Sequence, residues 1–194
     1  MILYIFFEEN HVKYCYTFLK GAYHKAFMIA LELTDIKDFM NKLLKSETFD
    51  HFLLQEATIT SAASYIIDGK INKSFFSSEE QEELGIKDQM FLPFSMLKNQ
   101  CFDLIKGKKT PTSFKFVFLL SPDNLEKTLT SIGSTFSPND ISGVFLNIKY
   151  QNQLLTLTTG ISYRIFSIDK TLENDWDRLV QKFLTQHQIS FETL

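Results

Sequence analysis

Apolar positions along this chain follow two spacings, one near two residues and one near 3.6, and the order of those spacings occurs twice. The order is strand, helix, three-strand meander, helix. In the first half, residues 28–33 form a short apolar run that reads as a strand, and Thr34 follows as the expected N-cap. Ile36, Phe39, Met40, Leu43 and Leu44 then share one helical face. Residues 52–60 and 63–67 read as strands, and residues 70–76 as the third. Asp68-Gly69 stands between the last two as a hairpin turn, because both residues tolerate the positive φ of a type I′ turn. Residues 77–84 are acidic and polar, fitting a solvated loop or a short surface helix. Helical spacing returns from Ser95, with Met96, Leu97, Cys101, Leu104 and Ile105 on one face and Gly107 as the expected C-cap.

The second half repeats this order. Phe114, Phe116, Phe118 and Leu120 alternate with residues that are themselves largely apolar, which predicts a central strand buried on both faces. Ser121-Pro122 starts a helix whose buried stripe is Leu125, Leu129 and Ile132, and Gly133 ends it. Residues 144–150, 154–159 and 163–168 read as three strands, with tight turns at 151–153 and around Gly160. A last helix from Thr171 places Leu172, Trp176, Leu179, Val180, Phe183 and Leu184 on one face. The expectation is an α+β fold: two β-α-β-β-β-α pseudo-repeats, residues 28–109 and 113–194, sharing one curved, mainly antiparallel sheet. That sheet would hold about eight strands and carry its helices on one face.

Composition adds bounds. With 194 residues, 44% hydrophobic and 22% charged, the chain matches an ordinary globular domain, and its 20 phenylalanines can fill a core with rings. A net charge of −3 gives no global attraction to nucleic acid or to an anionic membrane. Two cysteines, Cys15 and Cys101, do not make a disulfide framework, which suits a reducing, cytoplasmic setting. Residues 1–27 differ from the rest: four of the seven tyrosines and two of the four histidines lie there. Their apolar run ends at Glu8-Glu9, is too short to span a bilayer, and has no basic flank before it. We expect this segment to be a translated leader ahead of a true start at Met28, with an edge strand as the alternative.

Five stretches carry a family resemblance. They are Phe49-Asp50-His51-Phe52-Leu53-Leu54, Leu104-Ile105-Lys106-Gly107-Lys108-Lys109-Thr110-Pro111, Leu146-Asn147-Ile148-Lys149-Tyr150, Thr158-Thr159-Gly160-Ile161-Ser162 and Trp176-Asp177. Together they resemble an uncharacterised bacterial domain-of-unknown-function family over residues 28–194. That resemblance implies no assigned activity. At the level of architecture, a helix followed by residues 144–168 is similar to a unit of DNA sliding clamps, and the doubled layout is similar to the TATA-binding-protein fold. Fold alone does not fix function.

Candidate chemistry is sparse. After Met28 the histidines are His51 and His187, and neither has a partner at metal-ligand spacing. Cys101 falls on an apolar helix face and reads as a small buried hydrophobe. Asp50, Glu56, Asp68 and Asp169 could converge as paired carboxylates, although a turn explains Asp68 and a helix start explains Asp169. Thr158 and Thr159 could offer hydroxyls to a phosphate, against the plainer reading of a hairpin turn. Lys106, Lys108 and Lys109 close a helix, where cations complement the dipole, or they grip phosphate. The domain after Met28 is more acidic than the whole chain, since residues 1–27 hold three lysines and two glutamates. The resulting expectation is a binding or interaction module with a protein partner, no cofactor, no metal and no membrane. A nucleic-acid-associated, clamp-like protein is the alternative, and an enzyme the third reading.

Overall fold

The computed structural model describes residues 29–194, preceded by the backbone of three strands. Those strands, β1 (Leu3–Glu9), β2 (Val12–Leu19) and β3 (Ala22–Ala26), pair antiparallel in the order β1-β2-β3. The expected start at Met28, and the side chains of the expected leader, lie outside the described residues.

A seven-stranded antiparallel sheet organises the rest. Its strands are β4 (Ala30–Leu33), β5 (Phe52–Thr60), β6 (Ser64–Asp68), β7 (Ser113–Leu120), β8 (Ile141–Gln151), β9 (Leu154–Tyr163) and β10 (Phe191–Thr193), in the order β10-β4-β9-β8-β7-β5-β6. Five helices accompany it: α1 (Ile36–Lys45), α2 (Ser78–Glu83), α3 (Phe94–Ile105), α4 (Pro122–Ser131) and α5 (Thr171–Gln186). The fold is α+β.

One sheet face makes the core. Leu54, Ala57 and Ile59 of β5, Phe114, Phe116 and Phe118 of β7, and Leu146 and Ile148 of β8 are buried there. Phe39 and Leu43 of α1, Phe94 and Cys101 of α3, Leu129 of α4 and Val180 and Leu184 of α5 belong to the same cluster. Phenylalanine rings lock the layers together: Phe49 meets Phe39 and Phe183 edge-on at 5.6 and 5.5 Å, and Phe94 meets Phe118 at 4.9 Å. By the alternation of strand residues, the opposite face presents Thr58, Lys115, Asn147, Lys149, Thr156 and Thr158. An ion pair ties the turn after α1 to α3: Lys98 donates to both oxygens of Asp50 at 2.6 and 2.8 Å and to the Ser46 carbonyl at 2.8 Å.

Several expectations are corrected. Asp68-Gly69 is not a hairpin turn. Gln55 is an extra residue in β5, where the register shifts between Leu54 and Glu56, and Gly69 closes against that bulge, its N–H donating to the Gln55 carbonyl at 3.0 Å. A Cβ on Gly69 would lie 1.8 Å from the Leu54 carbonyl oxygen, so close backbone approach, rather than positive φ, requires glycine. The chain then leaves the sheet. Residues 70–76 contain one isolated bridge, Lys70 to Phe91, and a 3-10 turn at Lys73–Phe75, because β5 now receives Leu92 and Pro93 on that edge.

Residues 163–168 are not a strand either. β9 continues through Gly160, which pairs with Phe145 of β8, so no turn forms there. β10, unanticipated from the sequence, pairs with β4. Seven strands therefore stand where eight were expected. The first half runs β4-α1-β5-β6-α2-α3 and the second β7-α4-β8-β9-α5-β10, and the two series occupy different sheet positions. β7 lies beside β8 of its own half, whereas β4 lies beside β9 of the other.

Helix ends follow local chemistry. Asp35, not Thr34, caps α1 and accepts from the Asp38 N–H at 2.9 Å. The polar stretch after residue 76 is helical, with Ser77 and Glu80 forming a reciprocal capping box. α3 starts at Phe94 and ends at an extended Lys106, whose N–H reaches the Phe102 carbonyl, so Gly107 is not its cap. The β8–β9 turn matches expectation: Asn152 and Gln153 take φ of 53° and 64°, the type I′ requirement.

Candidate functional site

The residues singled out from the sequence do not converge. Lys106 pairs with Asp103 at 2.6 Å and lies 5.4 Å from the Phe102 ring, while Lys108 and Lys109 occupy the exposed loop that follows. Thr158 and Thr159 are separated by strand alternation. Thr158 is on the open sheet face, and Thr159 is 1% exposed on the core face with its hydroxyl engaged, so the pair cannot present two hydroxyls to one phosphate. Neither residue is in a turn.

Cys101 is fully buried, and burial pushes its thiol up to about 12, away from nucleophilic use. His51 is exposed, and His187 ends α5 with its ring 4.6 Å from Phe183. Asp50 belongs to the Lys98 pair, Asp68 accepts from the Lys70 N–H, and Asp169 accepts from both donors of Thr171. Among the described residues, no group of three or more His, Cys, Asp or Glu could hold a metal ion. No helix among them is long and apolar enough to cross a membrane.

A polar seam joins α5 to β9. The Thr159 hydroxyl donates to Asp177 and accepts from the Ile29 N–H, and Tyr163 donates to Glu173 at 2.8 Å. Lys170 closes the seam on the other Glu173 oxygen at 3.0 Å. Burial raises the Tyr163 phenol well above its ordinary value, aided by the hydrogen bond to Glu173 and by that carboxylate's charge. Each donor has an acceptor, which is the pattern of a satisfied structural network.

One member of the seam titrates against the fold. Burial raises the Asp177 carboxyl, and the hydrogen bond from Thr159 and the nearby backbone N–H of Ile29 only partly oppose this. A folded-state value above the unfolded one means that stability from this group is fullest below the ordinary carboxylate range. It is lost as pH rises through the raised value. Asp177→Asn should therefore remove a downward slope of stability with pH beginning near the ordinary carboxylate value. Urea midpoints of both proteins between about pH 4 and 7 measure it, and parallel profiles would refute the assignment.

An apolar-floored concave surface lies between α4 and α5, over the end of β7. It is an open groove of about 450 Å³. Phe52, Leu120, Leu146, Trp176, Val180 and Phe183 make its floor. Asn124, Lys127, Thr128 and Ser131 form one rim, and Leu179, Lys182 and Gln186 the other. No carboxylate lines it. Trp176 is fixed in the floor because its Nε1–H donates to the Phe145 carbonyl at 3.0 Å. The sequence located the α5 stripe but not the groove. Nothing in the order of residues says that α4 stops short of α5 and leaves Leu179 and Phe183 half-exposed.

The family model described as Family of unknown function (DUF5721) matches residues 42–192. The chain belongs to DUF5721. Comparison with curated proteins and with solved structures gives no match. The DUF5721 match starts inside α1 and ends within β10, so it covers every residue of the α4–α5 groove. It does not include β1 to β4.

Proposed function

We propose that this DUF5721 chain is a binding module and that the α4–α5 groove is where its protein partner docks. The observation that carries this reading is the groove's make-up: an apolar, partly aromatic floor, rims of hydroxyl, amide and ammonium groups, and no carboxylate. Interfaces concentrate binding energy in such apolar centres with polar surrounds. The lining contains no histidine or cysteine, which suits holding a partner better than general acid–base work. The nucleic-acid alternative has less behind it. Of the three lysines that suggested it, Lys106 is engaged with Asp103, and Lys108 and Lys109 belong to a chain whose net charge is −3.

Photo-crosslinking in cells that natively express the chain tests the reading. A photoreactive residue at Gln186, on the groove rim, should give a discrete protein adduct that Phe183→Glu abolishes. The same residue at Lys149, on the open sheet face, should not give that adduct. No adduct at Gln186, or the same adducts at both positions, would overturn it.

A further inference from the structure

Resting on the groove as a docking surface, we infer that the segment it receives is a short amphipathic helix with acidic residues beside its apolar anchors. Shape gives the helix. α4 lines the groove with Asn124, Lys127, Thr128 and Ser131, spaced i, i+3, i+4 and i+7. α5 lines it with Leu179, Lys182, Phe183 and Gln186 at the same spacing. Each row spans two helical turns, about 10 Å, and the two rows flank one trough. A third helix laid in such a trough meets both rows with its own i, i+3 or i+4, and i+7 residues. The groove is open along its length, whereas a small molecule is normally enclosed over most of its surface.

Charge gives the acidic residues. Lys127 and Lys182 stand on opposite rims, both exposed, and neither forms an ion pair among the described residues. The groove thus carries two unpaired cations in a chain that is acidic overall. Asp123 and Glu126 do stand near Lys127, but they line a second concavity, which shares Lys127 and Ser131 with the groove. Neither of them lines the groove itself. A partner helix with carboxylates on both flanks would meet a cation on each rim, and a basic one would meet repulsion on both.

A phage-displayed library of helical dodecapeptides, selected against the full chain, tests the inference. The lone tryptophan reports the site, because Trp176 is in the groove floor. Selected peptides should carry apolar residues at i, i+3 or i+4, and i+7 with Asp or Glu on both flanks, and should shift Trp176 emission. Lys127→Glu with Lys182→Glu should weaken them about tenfold, and selection against that variant should yield Lys- or Arg-flanked peptides instead. Three outcomes would overturn the inference: neutral or basic winners on the unaltered chain, winners that leave Trp176 emission unchanged, or saturable binding of dodecanoate in the groove with no peptide selected. A groove-specific adduct at Gln186 alongside any of these would leave the docking site standing and remove only the acidic helix. No such adduct would remove both.

Discussion

Trp176→Ala should lower the unfolding free energy by about 3–5 kcal/mol, the range for deleting a large buried aromatic side chain. The ring is 6% exposed, in the stripe that α5 turns toward the sheet. Its Nε1–H donates to the Phe145 carbonyl at 3.0 Å, so truncation removes packing and also this hydrogen bond. Trp176→Phe separates the two contributions. It keeps most of the apolar contact and loses the hydrogen bond, and should cost about 1–2 kcal/mol. Urea unfolding followed by circular dichroism measures both. Native tryptophan emission should be blue-shifted from that of the unfolded chain. A native spectrum matching the unfolded one, or an unchanged midpoint in the alanine variant, would contradict this placement.

The helices were legible in the sequence because each buried stripe is a local pattern of a few turns. Phe39, Leu43 and Leu44, or Leu172, Trp176 and Val180, announce their face without reference to the rest of the chain. Strand ends were less legible where glycine was the cue. Gly69 and Gly160 look alike as letters, yet one is pressed onto a bulged neighbour and the other sits mid-strand opposite Phe145. Neither makes the turn that glycine suggested, and both depend on contacts made by residues far away in sequence. The same cause separated Thr158 from Thr159. Once β9 continues past them, alternation sends adjacent side chains to opposite faces, and a two-hydroxyl site is no longer available. The groove is the extreme case. Its floor draws on β5, β7, β8 and α5, and its cations are single lysines on otherwise ordinary polar helix faces. No local pattern marks them, because their meaning comes from the gap between two helices.

Lys98→Met should cost about 2–3 kcal/mol, somewhat below the usual range for breaking a fully buried ion pair. The pair keeps limited contact with water: the side chains of Lys98 and Asp50 are 15% and 17% exposed. Removing the ammonium leaves the Asp50 carboxylate poorly solvated between the end of α1 and the start of β5, and the Ser46 carbonyl loses its donor as well. Removing the carboxylate instead, in Asp50→Leu, leaves a lysine that can still reach Ser46 and, on its long stem, water. That variant should be the milder of the two. The double variant should cost less than the two single costs added together, with a coupling above about 1 kcal/mol, because the second change removes the charge stranded by the first. A double-mutant cycle by urea unfolding decides it. Additive costs would mean that Lys98 and Asp50 act independently and that packing alone holds the turn after α1 against α3.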